Sequence, residues 1–300
     1  MRRSALVLFL CALTAPIALA HPAMAATEGL LVRQSSTANW STPSSDPTGI
    51  TYLGGSRRFL ISDSEIDEVG LWRKRNLFVV SRKGGLLARR RLTKATFEPE
   101  ALAWYGPTKS LYVADDDLDA VFRFKPGRDG QIGTADDKVA KLFNTPRFGS
   151  NQPEGLAWHP KAKMIILVDA TDGIVNKIRR GRDRRFGTKD DTVRRFGTFK
   201  FGFTDPEGVI WDKVTGHLFI VSSRQKFIIE TTIAGKLVRK INMPWCGAGC
   251  NFSDLVFAPG TDGSPRRLYL TDRGRDPSVF PDPADYNDGK LYQVRFVTVP

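Results

Sequence analysis

Short apolar runs return along this chain, and most of them end in aspartate. They are Phe59-Leu60-Ile61-Ser62-Asp63, Leu111-Tyr112-Val113-Ala114-Asp115, Ile165-Ile166-Leu167-Val168-Asp169, Leu218-Phe219-Ile220-Val221-Ser222 and Leu268-Tyr269-Leu270-Thr271-Asp272. β-Branched and aromatic residues fill them and Gly, Pro and Asp bound them, so each reads as a strand. An earlier run precedes each one across a turn. Four of these open on proline: Asp46-Pro47-Thr48-Gly49-Ile50, Glu98-Pro99-Glu100-Ala101-Leu102, Gln152-Pro153-Glu154-Gly155-Leu156 and Asp205-Pro206-Glu207-Gly208-Val209. A fifth, degenerate copy is Phe252-Ser253-Asp254-Leu255-Val256. With Ser253 in its proline slot, the slots lie 52, 54, 53 and 47 residues apart. Residues 120–124 and 138–143 add two more strands to the second copy.

Four strands in about 50 residues make one propeller blade. The pattern therefore predicts an all-β chain, a β-propeller of five blades, with six as the alternative. A sixth blade would have to fit into residues 26–44, which is too short a stretch. The spare apolar segment 29–33 has the length of one strand. It is expected to pair with the last blade and close the ring, which removes exposed strand edges.

The first 25 residues follow another pattern. Arg2 and Arg3 precede an apolar stretch from Ala5 to Leu19, and Ala23-Met24-Ala25 supplies a small-x-small cleavage site. That order predicts a secretory signal peptide over residues 1–25 and a single mature domain over 26–300, secreted or periplasmic. No later segment is apolar enough to predict a transmembrane span. Cys246 and Cys250, in Cys-Gly-Ala-Gly-Cys, are then expected to form one local disulfide, which an oxidising compartment permits. A zinc site would need about four ligands. Only His159 and His217 accompany these cysteines in the mature chain, and neither is near them in sequence.

Of 300 residues, 41% are hydrophobic and 26% charged, ordinary values for a chain that buries a core. The net charge is +13. A basic surface can attract anionic lipid, acidic polysaccharide or nucleic acid. The runs Arg89-Arg90-Arg91 and Arg179-Arg180 lack the interleaved aromatics of a single-strand groove, so no specific nucleic acid partner is expected. A monomer is expected.

Against this basic background the acids are placed in register. The start of a first strand and the end of its antiparallel partner share one face. An inner set, Glu100, Glu154, Glu207 and Asp254, is expected to ring the channel mouth as ligand-binding groups. An outer set, Asp63, Asp115, Asp169 and Asp272, is expected behind it as further ligand-binding groups. Converging carboxylates repel unless compensated. A hard cation with oxygen ligands answers that, with Glu100, Glu154 and Glu207 as the candidate metal ligands, and calcium fits an exported protein. The alternative is that these acids bind backbone amides and cap turns. A second acidic pattern, Gly127-Arg128-Asp129-Gly130-Gln131-Ile132-Gly133-Thr134-Ala135-Asp136-Asp137, recurs at 181–191 with Arg184 and Arg185 inserted. Asp129, Asp136 and Asp137 are thus further metal candidates on the opposite face, with a hairpin held by Asp side chains as the alternative.

The Pro-Glu-Gly copies, the strands ending in Asp and the Gly-x-Asp-Gly-x-x-Gly-Thr-x-Asp-Asp turns resemble a group of bacterial secreted propellers of uncertain function. More distantly, the repeats resemble NHL-repeat and gluconolactonase-like propellers. The resemblance covers most of residues 45–296. It implies a propeller and a divalent metal at the channel, held in the gluconolactonase-like enzymes by Glu, Asn and Asp. Glu100, Glu154, Glu207 and Asp254 are the loose counterparts here, and the Asn pair is absent. There is no Gly-x-Ser-x-Gly elbow and no P-loop. The expected function is therefore a calcium-stabilised module that binds a small molecule, envelope material or a protein. The alternatives are a metal-dependent lactonase or phosphoesterase and a cell-envelope scaffold.

Overall fold

A computed structural model describes residues 26–64, 75–247, 249–275 and 287–299. The predicted signal peptide lies outside them. Proline costs no ladder hydrogen bond at the first residue of a strand, and that is where the repeats put it. The first repeat forms β2 (Pro47–Leu53), β3 (Arg58–Asp63), β4 (Leu77–Ser81) and β5 (Leu86–Arg90). The second forms β6 (Pro99–Tyr105), β7 (Ser110–Asp115), β8 (Ala120–Lys125) and β9 (Lys138–Asn144). The third forms β10 (Pro153–His159), β11 (Met164–Asp169), β12 (Ile174–Arg179) and β13 (Thr192–Gly197). Each of these three is a four-stranded antiparallel sheet in sequence order.

The fourth and fifth repeats share one eight-stranded sheet. β14 (Pro206–Trp211), β15 (Leu218–Ser222), β16 (Phe227–Thr231) and β17 (Leu237–Asn242) make one half. β18 (Phe252–Ala258), β19 (Arg267–Asp272), β20 (Lys290–Val299) and the N-terminal β1 (Ala26–Ser36) make the other. β1 runs antiparallel to β20 from Ala26↔Val299 to Ser36↔Lys290. It meets β17 in parallel over Thr27 and Glu28 only. Helix is confined to three short 3-10 turns among the described residues. The chain is all-β, and its sheets are those of a β-propeller.

Burial grades from the inside outward. The second strands are buried but for an arginine at the start of β3 and of β19, whereas the fourth strands are largely exposed, as in Thr192–Gly197. Inner strands are covered on both faces by neighbouring repeats, so their sequences lose polar alternation. Five apolar clusters lie between consecutive repeats. Leu60 and Val79 pack with Leu102 and Val113; Ala101 and Val121 pack with Leu156 and Ile165; Ile166 and Val175 pack with Val209 and Ile220. Phe219 and Ile241 pack with Leu255 and Leu270, and Phe59 and Ile50 pack with Tyr269 and Val256 of the fifth repeat. Each fully buried Val, Leu, Ile or Phe among them contributes about 1.5–3 kcal/mol. The first strands β2, β6, β10, β14 and β18 lie side by side, with β18 next to β2.

Cys246 and Cys250 form the disulfide in the loop between β17 and β18, with Cα atoms 5.8 Å apart. Among the described residues no helix is long and apolar enough to cross a membrane.

Candidate functional site

Every first strand is irregular at one place. The ladder slips between Pro47 and Ile50, Pro99 and Ala101, Pro153 and Gly155, Pro206 and Val209, and Phe252 and Leu255. A β-bulge re-aims the residue it displaces. The displaced residues are Thr48, Glu100, Glu154, Glu207 and Ser253. Glycine follows several of them because the next first strand approaches so closely. A Cβ on Gly155 would stand 2.1 Å from the Glu207 carbonyl oxygen, and one on Gly49 would stand 2.9 Å from that of Glu100.

This register corrects the fifth copy. Phe252 pairs with Asp272 as Pro153 pairs with Asp169, so Phe252 holds the proline slot and Ser253 the glutamate slot. Asp254 therefore falls where the other repeats carry Gly or Ala. Its buried carboxylate accepts from the backbone N–H groups of Ile50 and Leu255, each at 2.8 Å. It bonds the first repeat to the fifth rather than joining the acidic ring. Ser253 donates to the Pro47 carbonyl at 2.7 Å and Thr48 to that of Pro99 at 3.2 Å.

The outer set is also committed to the backbone. Asp169 accepts from the amides of Asn151, Gln152 and Asp172 and from Ser150. Asp63 accepts from Ser44 and the Asp46 amide, Asp115 from the Leu118 amide, and Asp272 from the Asn251 and Gly274 amides and Tyr292. These four thus hold turns through backbone amides, the alternative that the sequence left open beside ligand binding. The 127–137 turn behaves likewise. Asp136 accepts from the amides of Arg128 and Asp129, Asp137 from those of Gly133 and Thr134, and Asp129 from that of Gln131. Asp190, Asp191 and Asp183 repeat the same bonds at 181–191 beside Arg184 and Arg185. A geometry that survives two added cations is held by the protein's own amides.

What gathers at the mouth is the inner glutamates with two further positions in each repeat. One precedes the proline slot (Asp46, Glu98, Gln152, Asp205, Asn251). The other follows the second strand (Ser64, Asp116, Ala170, Ser223, Arg273). They meet within a repeat: Ser64 donates to Asp46 at 3.0 Å, and Ser223 donates to Asp205. In the second repeat both positions are acidic. Oxygens of Glu98, Glu100 and Asp116 all lie within 4.8 Å of one another, with Glu98 and Glu100 buried. A cavity of about 540 Å³ opens beside them, lined by Asp46, Gln152, Glu154, Asp205, Glu207 and Arg273 and rimmed by the disulfide loop at Gly249 and Cys250.

Arg273 divides these acids. Its guanidinium lies 2.5 Å from Glu207 Oε2, and Glu207, Asp46, Glu154 and Glu100 together keep it charged against the cost of burial. Burial raises the Glu207 carboxyl, and Arg273 opposes that rise. Glu154 and Glu100 are hydrogen-bonded to one another; burial first, and then a neighbouring carboxylate, pushes both well above the usual range. Glu154 Oε2 is buried and has no hydrogen-bond partner among the described residues. Burial pushes Asp116 up to about 6. The sequence-derived trio of Glu100, Glu154 and Glu207 is thus brought together but not as one cation cage, because a guanidinium occupies its Glu207 side. The all-oxygen set of Glu98, Glu100 and Asp116 fits a hard cation.

Sequence reasoning missed Arg273, Asp46, Glu98, Asp116 and Asp205. The signal was positional: each flanks a strand end that the repeat had already marked.

No family model and no curated relative matches this sequence. Solved structures do match. A PQQ-bound aldose sugar dehydrogenase from Streptomyces coelicolor has a TM-score of 0.53 at 13% identity, over 91% of this chain and 99% of its own. A luciferin-regenerating enzyme has a TM-score of 0.51 at 12% identity, over 90% and 95%. A gluconolactonase from Xanthomonas campestris has a TM-score of 0.48 at 14% identity, over 91% and 87%. For the first two the likeness is one of fold, and it agrees with the distant propeller resemblance read from the repeats.

Proposed function

We propose that the chain is an exported five-bladed β-propeller, a single domain over residues 26–300, whose acidic mouth binds a ligand beside a calcium ion. The five-bladed reading is supported by the five apolar clusters between repeats and by the pairing of β1 with β20. Export is supported by the N-terminal pattern and the disulfide.

The observation that carries the binding reading is the convergence of Glu98, Glu100 and Asp116 in the second repeat. The equivalent positions of the first and fourth repeats satisfy an acid with a serine hydroxyl. Here acid faces acid, and a divalent cation would offset the repulsion. Calcium takes 6–8 oxygen ligands, so three carboxylates leave positions for backbone carbonyls, water or a polyhydroxylated ligand. Arg273 and Glu154 would orient that ligand's acceptors and donors across the cavity.

Calcium titrated into chelator-treated protein tests this reading. Saturable heat is expected for wild type and for Asp136→Asn/Asp137→Asn, and none for Glu98→Gln/Glu100→Gln/Asp116→Asn. Absence of wild-type binding, or loss only in the turn variant, would contradict it.

A second reading, a metal-dependent hydrolase, is favoured by the Glu100–Glu154 pair. A carboxyl that burial pushes well above its usual range is suited to general acid and base work. Calcium would supply polarisation of a lactone or phosphoester oxygen, and Glu154 would move the proton. Turnover lost in Glu154→Gln with calcium binding intact would support this; absence of turnover on lactones and phosphoesters would refute it.

A further inference from the structure

At the end of the strands opposite the acidic mouth, the second and third repeats enclose a smaller pocket of about 250 Å³. Five cations line it: Arg123, Lys141, Arg180, Arg184 and Arg185. They come from separate elements. Arg123 lies on β8 opposite Tyr112 of β7, Lys141 on β9, and the other three follow β12. Among the described residues none of the five takes part in an ion pair. The nearby acids cannot serve them, because Asp183, Asp190 and Asp191 are held by backbone amides of their own turn. Five like charges around so small a volume repel unless an anion joins them.

The aromatic surroundings narrow the anion. Tyr112 is 7% exposed and stacked on Trp158 with ring centroids 4.8 Å apart. Phe186 carries Arg180 over its ring at 5.5 Å and meets Trp158 edge-on. Their faces are already covered, so they offer little for stacking a nucleobase. Leu142 completes the lining but packs, like Phe186, against the core, and none of the exposed large hydrophobic residues, such as Leu87, Leu118 and Phe199, belongs to it, so a lipid surface finds no protruding apolar anchor there. What remains is a polar, strongly cationic pocket matched to oxyanions through charge-assisted hydrogen bonds.

We propose that this pocket binds a sulfate or phosphate ester carried on a saccharide, at a site separate from the acidic mouth. Arg123 and Arg180 face the ester oxygens from two repeats, and Lys141, Arg184 and Arg185 engage neighbouring anionic groups.

The test is calorimetric titration of the mature protein with a heparin-derived tetrasaccharide at two salt concentrations, with inorganic sulfate and an eight-residue oligothymidine in parallel. Saturable binding of the tetrasaccharide is expected, weaker at high salt. Two variants, Arg123→Gln/Arg180→Gln and the exposed pair Arg184→Gln/Arg185→Gln, should each weaken it at least tenfold. Lys213→Gln/Lys236→Gln, with the same charge change in the fourth repeat, should leave it within twofold. Equal weakening in all three variants would overturn the proposal in favour of unspecific attraction. So would oligothymidine or inorganic sulfate binding as tightly as the tetrasaccharide, or no binding at all.

Discussion

Removing the Arg273 guanidinium would leave Glu207, 5% exposed, against Glu154 with no counter-charge. Breaking a buried pair from one side typically costs about 3 kcal/mol, whereas replacing both partners costs far less. Arg273→Met is therefore expected to lower the urea midpoint strongly, and Arg273→Met/Glu207→Gln to recover most of the loss. Equal destabilisation in both would show that the pair matters only through packing. Asp116 sets a pH dependence. Burial holds it at about 6, above its unfolded value near 4. A carboxyl raised in this way favours the native state fully below pH 4, and that advantage is lost as pH rises through 6. In chelator, Asp116→Asn should equal wild type at pH 4 and exceed it at pH 7 by up to about 3 kcal/mol. A gap that does not change with pH would remove Asp116 from the buried cluster.

The bulged first strand is the element that builds the mouth. It depends on close approach at the residue after each glutamate. In Gly155→Ala a methyl group would meet backbone that cannot yield. Overpacking of this kind costs about 1–3 kcal/mol, so the variant should unfold at lower urea while Gly55→Ala, whose added methyl would meet nothing within 4 Å, changes less. The strands themselves were legible in the sequence because apolar runs bounded by turn residues repeat five times. β3, β7, β11, β15 and β19 lie where those runs predicted them. The fifth copy was misread by one slot because Phe252 replaces proline and the nearest acid, Asp254, stood in for the missing glutamate. The ladder to Asp272 is what fixes the slot. Arg273 was illegible for a related reason. Its position holds Ser64, Asp116, Ala170 and Ser223 in the other repeats, so no repeated letter marks it. The turn acids were visible as a pattern, but only the hydrogen bonds distinguish an amide-held turn from an ion-held one.

Across the whole molecule, the inner glutamates gather at one end of the strands and the five-cation pocket lies at the other. The first hairpin turns add Arg57, Lys109, Lys163 and Lys213 to the basic end. A net charge of +13 thus coexists with a strongly acidic mouth. β1 ties the two ends of the chain by pairing with β20 and touching β17. Deleting residues 26–36 would uncover those strand edges, and exposed edges recruit other chains. The deletion variant should elute as oligomers in size-exclusion chromatography; a well-behaved monomer of unchanged melting temperature would contradict closure by β1. The central claim is that the second repeat holds calcium at the mouth. A crystal structure of the mature protein grown with calcium tests it most directly. The predicted result is an ion about 2.3–2.6 Å from carboxylate oxygens of Glu98, Glu100 and Asp116. An ion in the 127–137 turn instead, or none at a saturating concentration, would contradict it.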